Sequence, residues 1–276
     1  MENKGRFILD DRIAAVSEIS RLYKIEEMYS VKMNNIFKKL KLKPDFIAAE
    51  IGCGVGLTSI KLSRLVKRLD VYEISRLLIE EAQKNVKLNN SNNINFYKSD
   101  CHELSCESEK YDFVFSRFVI KHLFDPQKGI KEIVRIAKKN GIIMLIDKDI
   151  KSTIWFPSPP IFPSKFIEAL NQYNAKLYRG GDANIGRKFS YYLKSNNLKN
   201  VKVDVVPCYL TGNDKKNINN RNMILEVYMN LIPELVKVNL IKLKEAEKDL
   251  ENFRIFLENE NSFGVSFDFI ATGYKL

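Results

Sequence analysis

Residues 46–56, Phe-Ile-Ala-Ala-Glu-Ile-Gly-Cys-Gly-Val-Gly, restrict what this chain can fold into more than any other stretch. An apolar run carries the acid Glu50 near its end, then passes through Gly52, Cys53, Gly54 and Gly56 into a helical pattern from Leu57. A strand, a tight turn and a helix N-terminus make a cradle for a nucleotide-like ligand, because glycine lets a ligand approach the backbone closely. The spacing is G-x-G-x-G. In the dinucleotide pattern G-x-G-x-x-G/A the third small position falls at Leu57, where a bulky side chain hinders close helix–strand packing. Glu50, two residues before the first glycine, also suits a ligand with positive charge better than a pyrophosphate. A nicotinamide-dependent oxidoreductase is disfavoured on both counts.

Three further stations follow in order. Residues 68–73, Arg-Leu-Asp-Val-Tyr-Glu, read as a second strand ending in the acid Glu73. Residues 93–100 read as a third strand ending in Asp100, with Cys101 just beyond, and residues 111–116, Tyr-Asp-Phe-Val-Phe-Ser, as a buried fourth strand. On these four stations, spanning Phe46 to Ser116, the chain resembles the class I S-adenosylmethionine-dependent methyltransferases. The resemblance is close over residues 44–150 and loose over 201–207 and 263–275. It implies an α/β, Rossmann-like, seven-stranded and mostly parallel sheet of order 3-2-1-4-5-7-6, with the last strand antiparallel.

The resemblance also implies roles. Glu73 would accept hydrogen bonds from the ribose hydroxyls of S-adenosylmethionine, and Asp100 from the adenine amine, with the Cys101 backbone N–H near a ring nitrogen. Gly52, Cys53, Gly54 and Gly56 would lie along the methionine portion, and Glu50 would orient the loop or the ligand's ammonium group. Arg117 either binds the cofactor's carboxylate or makes a salt bridge on a helix. The product would be S-adenosylhomocysteine. The segment after the fourth strand, Ser116-Arg117-Phe118-Val119-Ile120, lacks the N/D-P-P-Y/F signature of many amino-methylating enzymes. Where an acceptor must lose a proton, His122 is the candidate base, since histidine titrates near neutral pH; the alternative is a structural histidine before Pro126. Asp147 and Asp149 are further candidates. Tyr23 and Tyr29 either close over the cofactor or pack within the N-terminal helix.

Composition bounds the reading. Four cysteines (Cys53, Cys101, Cys106, Cys208) form no C-x-x-C pair and, with two histidines, no zinc pattern. Cys53 reads as a small packing residue. No run approaches the roughly 18 apolar residues of a membrane span, and no long apolar segment follows Met1–Arg6, so a cytoplasmic chain with no membrane association is expected. The net charge of +11 is spread along the chain without a recognisable nucleic-acid module, which favours a solvated lysine-rich surface over an RNA or DNA site. The sequence sets no oligomeric state.

Apolar spacing predicts helices over 11–43, 57–67, 76–89, 126–139, 164–175 and 183–196, and strands over 141–147, 201–206 and 263–273. Residues 151–163, with four prolines, are either a stiff connector covering the core with Trp155, Phe156 and Phe162 or an aromatic wall of the acceptor pocket. The expected organisation is a helical cap over 1–43, a cofactor-binding domain over 44–207 plus 261–276, and a helical insertion over 208–260. Caps and aromatic loops enclose pockets, so the expected activity is methyl transfer to an O or N atom of a small, partly apolar acceptor. The alternatives are a methyltransferase acting on RNA, protein or peptide, and a non-catalytic S-adenosylmethionine-binding partner protein.

Overall fold

A computed structural model describes residues 12–158, 162–173, 181–211 and 215–276. The expectations for Met1–Arg6, for residues 159–161 and 174–175, and for the side chains of Ile13, Val16 and Phe162 lie outside the described residues. Strands β1 (Ile47–Ile51), β2 (Arg68–Glu73), β3 (Ile94–Lys98), β4 (Tyr111–Arg117) and β5 (Ala137–Lys148) alternate with helices α2 (Leu57–Ser63), α3 (Arg76–Leu88) and α4 (Pro126–Ile136). They form a parallel array in the order β3-β2-β1-β4-β5. The last strand, β8 (Phe263–Tyr274), runs antiparallel to β5 on one side and to β7 (Lys199–Tyr209) on the other. This is the expected order, with one addition. Residues Ile154–Phe156 form a short strand, β6, which pairs with the start of β8 in line with β5.

Local chemistry sets the boundaries. The Ser75 hydroxyl caps α3 by accepting from the Leu78 N–H, and the Asp125 carboxylate caps α4 by accepting from Lys128, with Pro126 in the first turn. The helix expected to reach residue 139 stops at Ile136. Ala137 instead pairs with Tyr111, and the Lys138 ammonium bonds Asp112 at 2.8 Å, so these residues extend the strand.

Side chains alternate between the sheet's two faces. Phe113, Phe115, Met144 and Ile146 share one core with Tyr29, Met33 and Phe37 of α1 (Arg12–Leu40), whereas Val114, Ile143 and Leu145 share another with Ile130 and Ile133 of α4 and Phe189 of α6 (Phe189–Ser195). The N-terminal helix is therefore a structural layer on the sheet. A third core gathers Phe166 of α5 (Phe162–Tyr173), Tyr228 and Leu235 of α7 (Lys215–Lys237), and Phe253 and Phe256 of α8 (Leu243–Glu258), with Trp155 packed against it. The Trp155 ring meets Phe253 and Phe256 edge-on at 5.6 and 5.8 Å. Trp155 thus covers a core, while Phe156 is exposed.

Candidate active site at the strand ends

The carboxyl ends of β1, β2 and β4 bring most of the singled-out residues together. Glycine is required at Gly52, whose φ is +75° and whose missing Cβ would lie 2.2 Å from the Val119 Cγ2. The turn is fixed from outside by one backbone and one side-chain bond: the Gly52 N–H donates to the Tyr72 carbonyl at 2.8 Å, and the Asn85 side-chain Nδ2 to the Val55 carbonyl at 2.8 Å. Glu73 is buried at the end of β2 and accepts from the Cys53 N–H at 3.1 Å and the Ser75 N–H at 3.0 Å. The acid expected at the ribose therefore also ties the glycine turn to the start of α3.

Glu50 is buried, and among the described residues its Oε2 has no hydrogen-bond partner. Burial pushes its carboxyl up to about 8 against the lowering effect of the Ser59 hydroxyl close by, with Glu73 adding to the rise. An orphaned acid oxygen beneath a glycine turn is a poor structural element and a good receptor for a ligand cation. Cys53 is buried; desolvation, with Glu73 and Glu50 nearby, pushes its thiol well up, which leaves a neutral packing residue.

Asp100 is partly exposed beyond β3. Its Oδ1 accepts from the backbone N–H of His102 at 2.8 Å and meets the His102 Nδ1 at 2.7 Å. This pairing holds the Asp100 carboxyl below its ordinary value despite partial burial. His102 is itself buried and stacked on Phe124 at 3.9 Å. Cys101 is buried beside Gly129.

Arg117, at the end of β4, pairs with Glu26 of α1, whose other oxygen accepts from Thr58 at the start of α2. Its guanidinium lies over the rings of Tyr29 and Phe118, 5.5 and 5.4 Å from their centroids. Arg117 is thus tied through Glu26 to Thr58, at the start of the helix that follows the glycine turn. His122 closes a 3-10 turn, Ile120–His122, after β4 and is half-buried. Asp147 and Asp149 are both fully buried and engaged: Asp147 by the N–H groups of Lys121 and Lys148, Asp149 by Arg187 with an Nη2–Oδ1 distance of 2.7 Å. Either would have to leave these partners to act as a base.

A model of the family described as "Methyltransferase domain" matches residues 49–145. The chain carries a class I S-adenosylmethionine-dependent methyltransferase domain. Every residue singled out above from Glu50 to His122 lies within the matched span of that domain. The chain is 20% identical over 158 residues to the uncharacterized methyltransferase YcgJ of Bacillus subtilis, covering 56% of this chain and 60% of that one. It is 31% identical over 129 residues to a ubiquinone biosynthesis O-methyltransferase of Pelagibacter ubique, covering 44% and 53%. The match thus spans about half the length of such relatives. The YcgJ crystal structure superposes with a TM-score of 0.57 at 16% identity, over 88% of this chain and 97% of that one. Phosphoethanolamine N-methyltransferase 2 of Haemonchus contortus, solved with phosphomonomethylethanolamine and S-adenosylhomocysteine, superposes with a TM-score of 0.58 at 14% identity, over 92% and 56%. At these identities the structural likeness speaks for the fold of the methyltransferase domain.

Sequence reasoning missed Glu26, His102, Lys121, Lys148 and Asp268. Asp268 left a signal: an acid flanked by Phe267 and Phe269 inside the apolar final strand has to be paired. It is fully buried and accepts from Tyr29 of α1 at 2.9 Å and from Lys148 at 3.0 Å.

Proposed function

We propose that this protein transfers a methyl group from S-adenosylmethionine to an O or N atom of a small, partly apolar acceptor. The observation that carries this reading is the buried Oε2 of Glu50 beneath the glycine turn, without a hydrogen-bond partner among the described residues, which matches a ligand that brings an ammonium group to that point. Glu50, Gly52, Cys53, Gly54 and Gly56 would hold the amino-acid end, Glu73 the ribose, and Asp100 with Cys101 the adenine. The cofactor, when bound, supplies an electrophilic methyl group on a sulfonium, and the protein supplies orientation and a dry cavity.

The chain's own contribution is mostly positional. Glu73 holds the turn through Cys53 and Ser75 while facing the ligand, so one carboxylate shapes the site and recognises its occupant. His122, in the turn after β4, is the group proposed to accept a proton from an acceptor that must lose one. In a His122→Ala variant, turnover should fall with cofactor affinity unchanged; full turnover at every pH would remove that role.

Calorimetric titration of the full chain with S-adenosylmethionine, S-adenosylhomocysteine and NAD tests the reading. Micromolar binding of the first two alone is expected. Binding of NAD alone, or of none of the three, would overturn it.

A further inference from the structure

Beyond the glycine turn, the ends of β4 and β5 build a second, basic surface. Phe118 follows β4 with φ at +59°, a left-handed backbone that a phenylalanine rarely adopts. The Tyr29 ring meets the Phe118 ring edge-on at 5.2 Å. Cations of the chain surround these two rings. The Lys121 Nζ lies 4.6 Å from the Phe118 centroid, the Lys148 Nζ 5.9 Å from both rings, and the Lys32 Nζ 5.0 Å from Tyr29. With Arg117 these four cations face three carboxylates among the described residues, Glu26, Asp147 and Asp268. The other nearby charge, Arg21, is matched by Glu18 on its own helix.

The pairing within this cluster is uneven. Lys32 and Lys148 are both held by Asp268, at 2.5 and 3.0 Å. Lys121 reaches Asp147 at only 3.5 Å, and the Asp147 carboxylate is already satisfied by two backbone N–H groups. Burial, with Lys148 and Arg21 close by, holds the Lys121 ammonium below its ordinary value against the pull of Asp147. One donor is left over among the described residues: Nη1 of Arg117 is buried without a hydrogen-bond partner there. A buried donor without an acceptor is costly and points to a missing ligand atom.

We propose that the methyl acceptor carries an oxyanion, a carboxylate or a phosphate, and that Lys121 and Arg117 receive it beside the rings of Phe118 and Tyr29. The proposal rests on the methyl-transfer reading above and names the acceptor class of that same site. A cationic acceptor would find the ring faces already covered by the chain's own ammonium and guanidinium groups and would be repelled by them. A neutral acceptor would leave the surplus positive charge unmatched. An oxyanion meets the loosely held ammonium and the unpartnered guanidinium N–H together, and such charge-assisted bonds are the strong ones. Lys148 and Lys32, fixed by Asp268, add attraction without having to move.

The test is calorimetry on the full chain, alone and saturated with S-adenosylhomocysteine, with four probes: phenyl phosphate, benzoate, benzamide and benzylammonium. At least one of the two anions should bind about tenfold or more tightly than benzamide, and benzylammonium should not bind. Preference for phenyl phosphate points to a phosphate-bearing acceptor, preference for benzoate to a carboxylate. Lys121→Gln should erase the anion preference with unchanged affinity for S-adenosylhomocysteine, and Lys139→Gln, at an exposed position, should change neither. Equal or tighter binding of benzamide or benzylammonium overturns the proposal, as does binding of no probe or an anion preference that survives Lys121→Gln. Failure of S-adenosylhomocysteine to bind would instead strike the methyl-transfer reading, and the anion arms on the protein alone would still judge the basic cluster.

Discussion

The glycine turn and the basic cluster meet at Val119, whose methyl group packs against Gly52, yet they are built in opposite ways. The turn is held through its main-chain groups: the N–H groups of Cys53 and Ser75 on the Glu73 carboxylate, the Gly52 N–H on a carbonyl of the neighbouring strand, and the Val55 carbonyl on the Asn85 amide. The cluster is held by side chains from four parts of the chain, with Tyr29 and Asp268 bonded across 239 residues of sequence. A site fixed by backbone geometry tolerates almost no change of residue type where a glycine is both left-handed and closely packed, as at Gly52. A site fixed by ion pairs can exchange members if charge and reach are preserved, but it fails when the central charge is removed.

Substitutions that act on one side and spare the other sharpen this contrast. Gly52→Ala should have the largest effect, about 3–5 kcal/mol of stability, because it combines a left-handed backbone with a Cβ driven into Val119. Urea unfolding would check it, and a loss under 1 kcal/mol would mean that the turn gives way more easily than its geometry implies.

Asp268→Asn comes next, at about 2–3 kcal/mol, since it leaves Lys32 and Lys148 without their shared counter-charge; their partial exposure keeps the cost below that of a fully buried pair. Burial raises the Asp268 carboxyl, but Lys148 and Lys32 outweigh it and hold the group down to about 2. A depressed acid stabilises above its unfolded value and loses that contribution as pH falls through the folded one. The difference between wild type and Asp268→Asn should therefore be full at pH 6 and shrink between about pH 4 and 2. A difference independent of pH would remove the ion pairs as its cause.

Glu50 works in the other direction. Its folded value near 8 lies above its ordinary 4.5, so its contribution is most favourable below pH 4.5 and is lost as pH rises through about 8. Glu50→Gln should thus gain about 1–3 kcal/mol over wild type at pH 9 and nothing at pH 4. Because an ammonium ligand favours the ionised carboxylate, wild-type affinity for S-adenosylmethionine should rise from pH 6 to 8, and the glutamine variant should be flat. A flat wild-type profile would detach Glu50 from the ligand.

Gly54→Ala should have the smallest effect, about 1 kcal/mol from its φ of +54° alone, because a Cβ there meets only Leu22 at an ordinary 3.5 Å. If Gly54→Ala destabilised the protein as much as Gly52→Ala, backbone strain and not the Val119 contact would be the dominant constraint.

The same contrast explains what the sequence disclosed. Glu50, Gly52, Glu73 and Asp100 lie on strand ends that local patterning can locate, so their convergence follows once the strands are ordered. The position of β8 between β5 and β7 followed only from resemblance, since pairing partners leave no local mark. Arg117 was legible as a strand-end residue, but its engagement with Glu26 was not, because that depends on how α1 crosses the sheet. Strand β6 escaped notice for a different reason: three residues in a proline-rich stretch offer no periodicity, and the edge of β8 is what makes them a strand.

The third hydrophobic cluster, where Phe166, Tyr228 and Phe253 close on one another with Trp155 at their edge, has a consequence over longer times. Its interior is separate from the two that carry the strand-end acids. The aromatic rings of that layer belong to neither of the two cores that pack on the sheet. Descendants of such a chain can alter the helices of that layer step by step while inheriting the glycine turn and its acids unchanged.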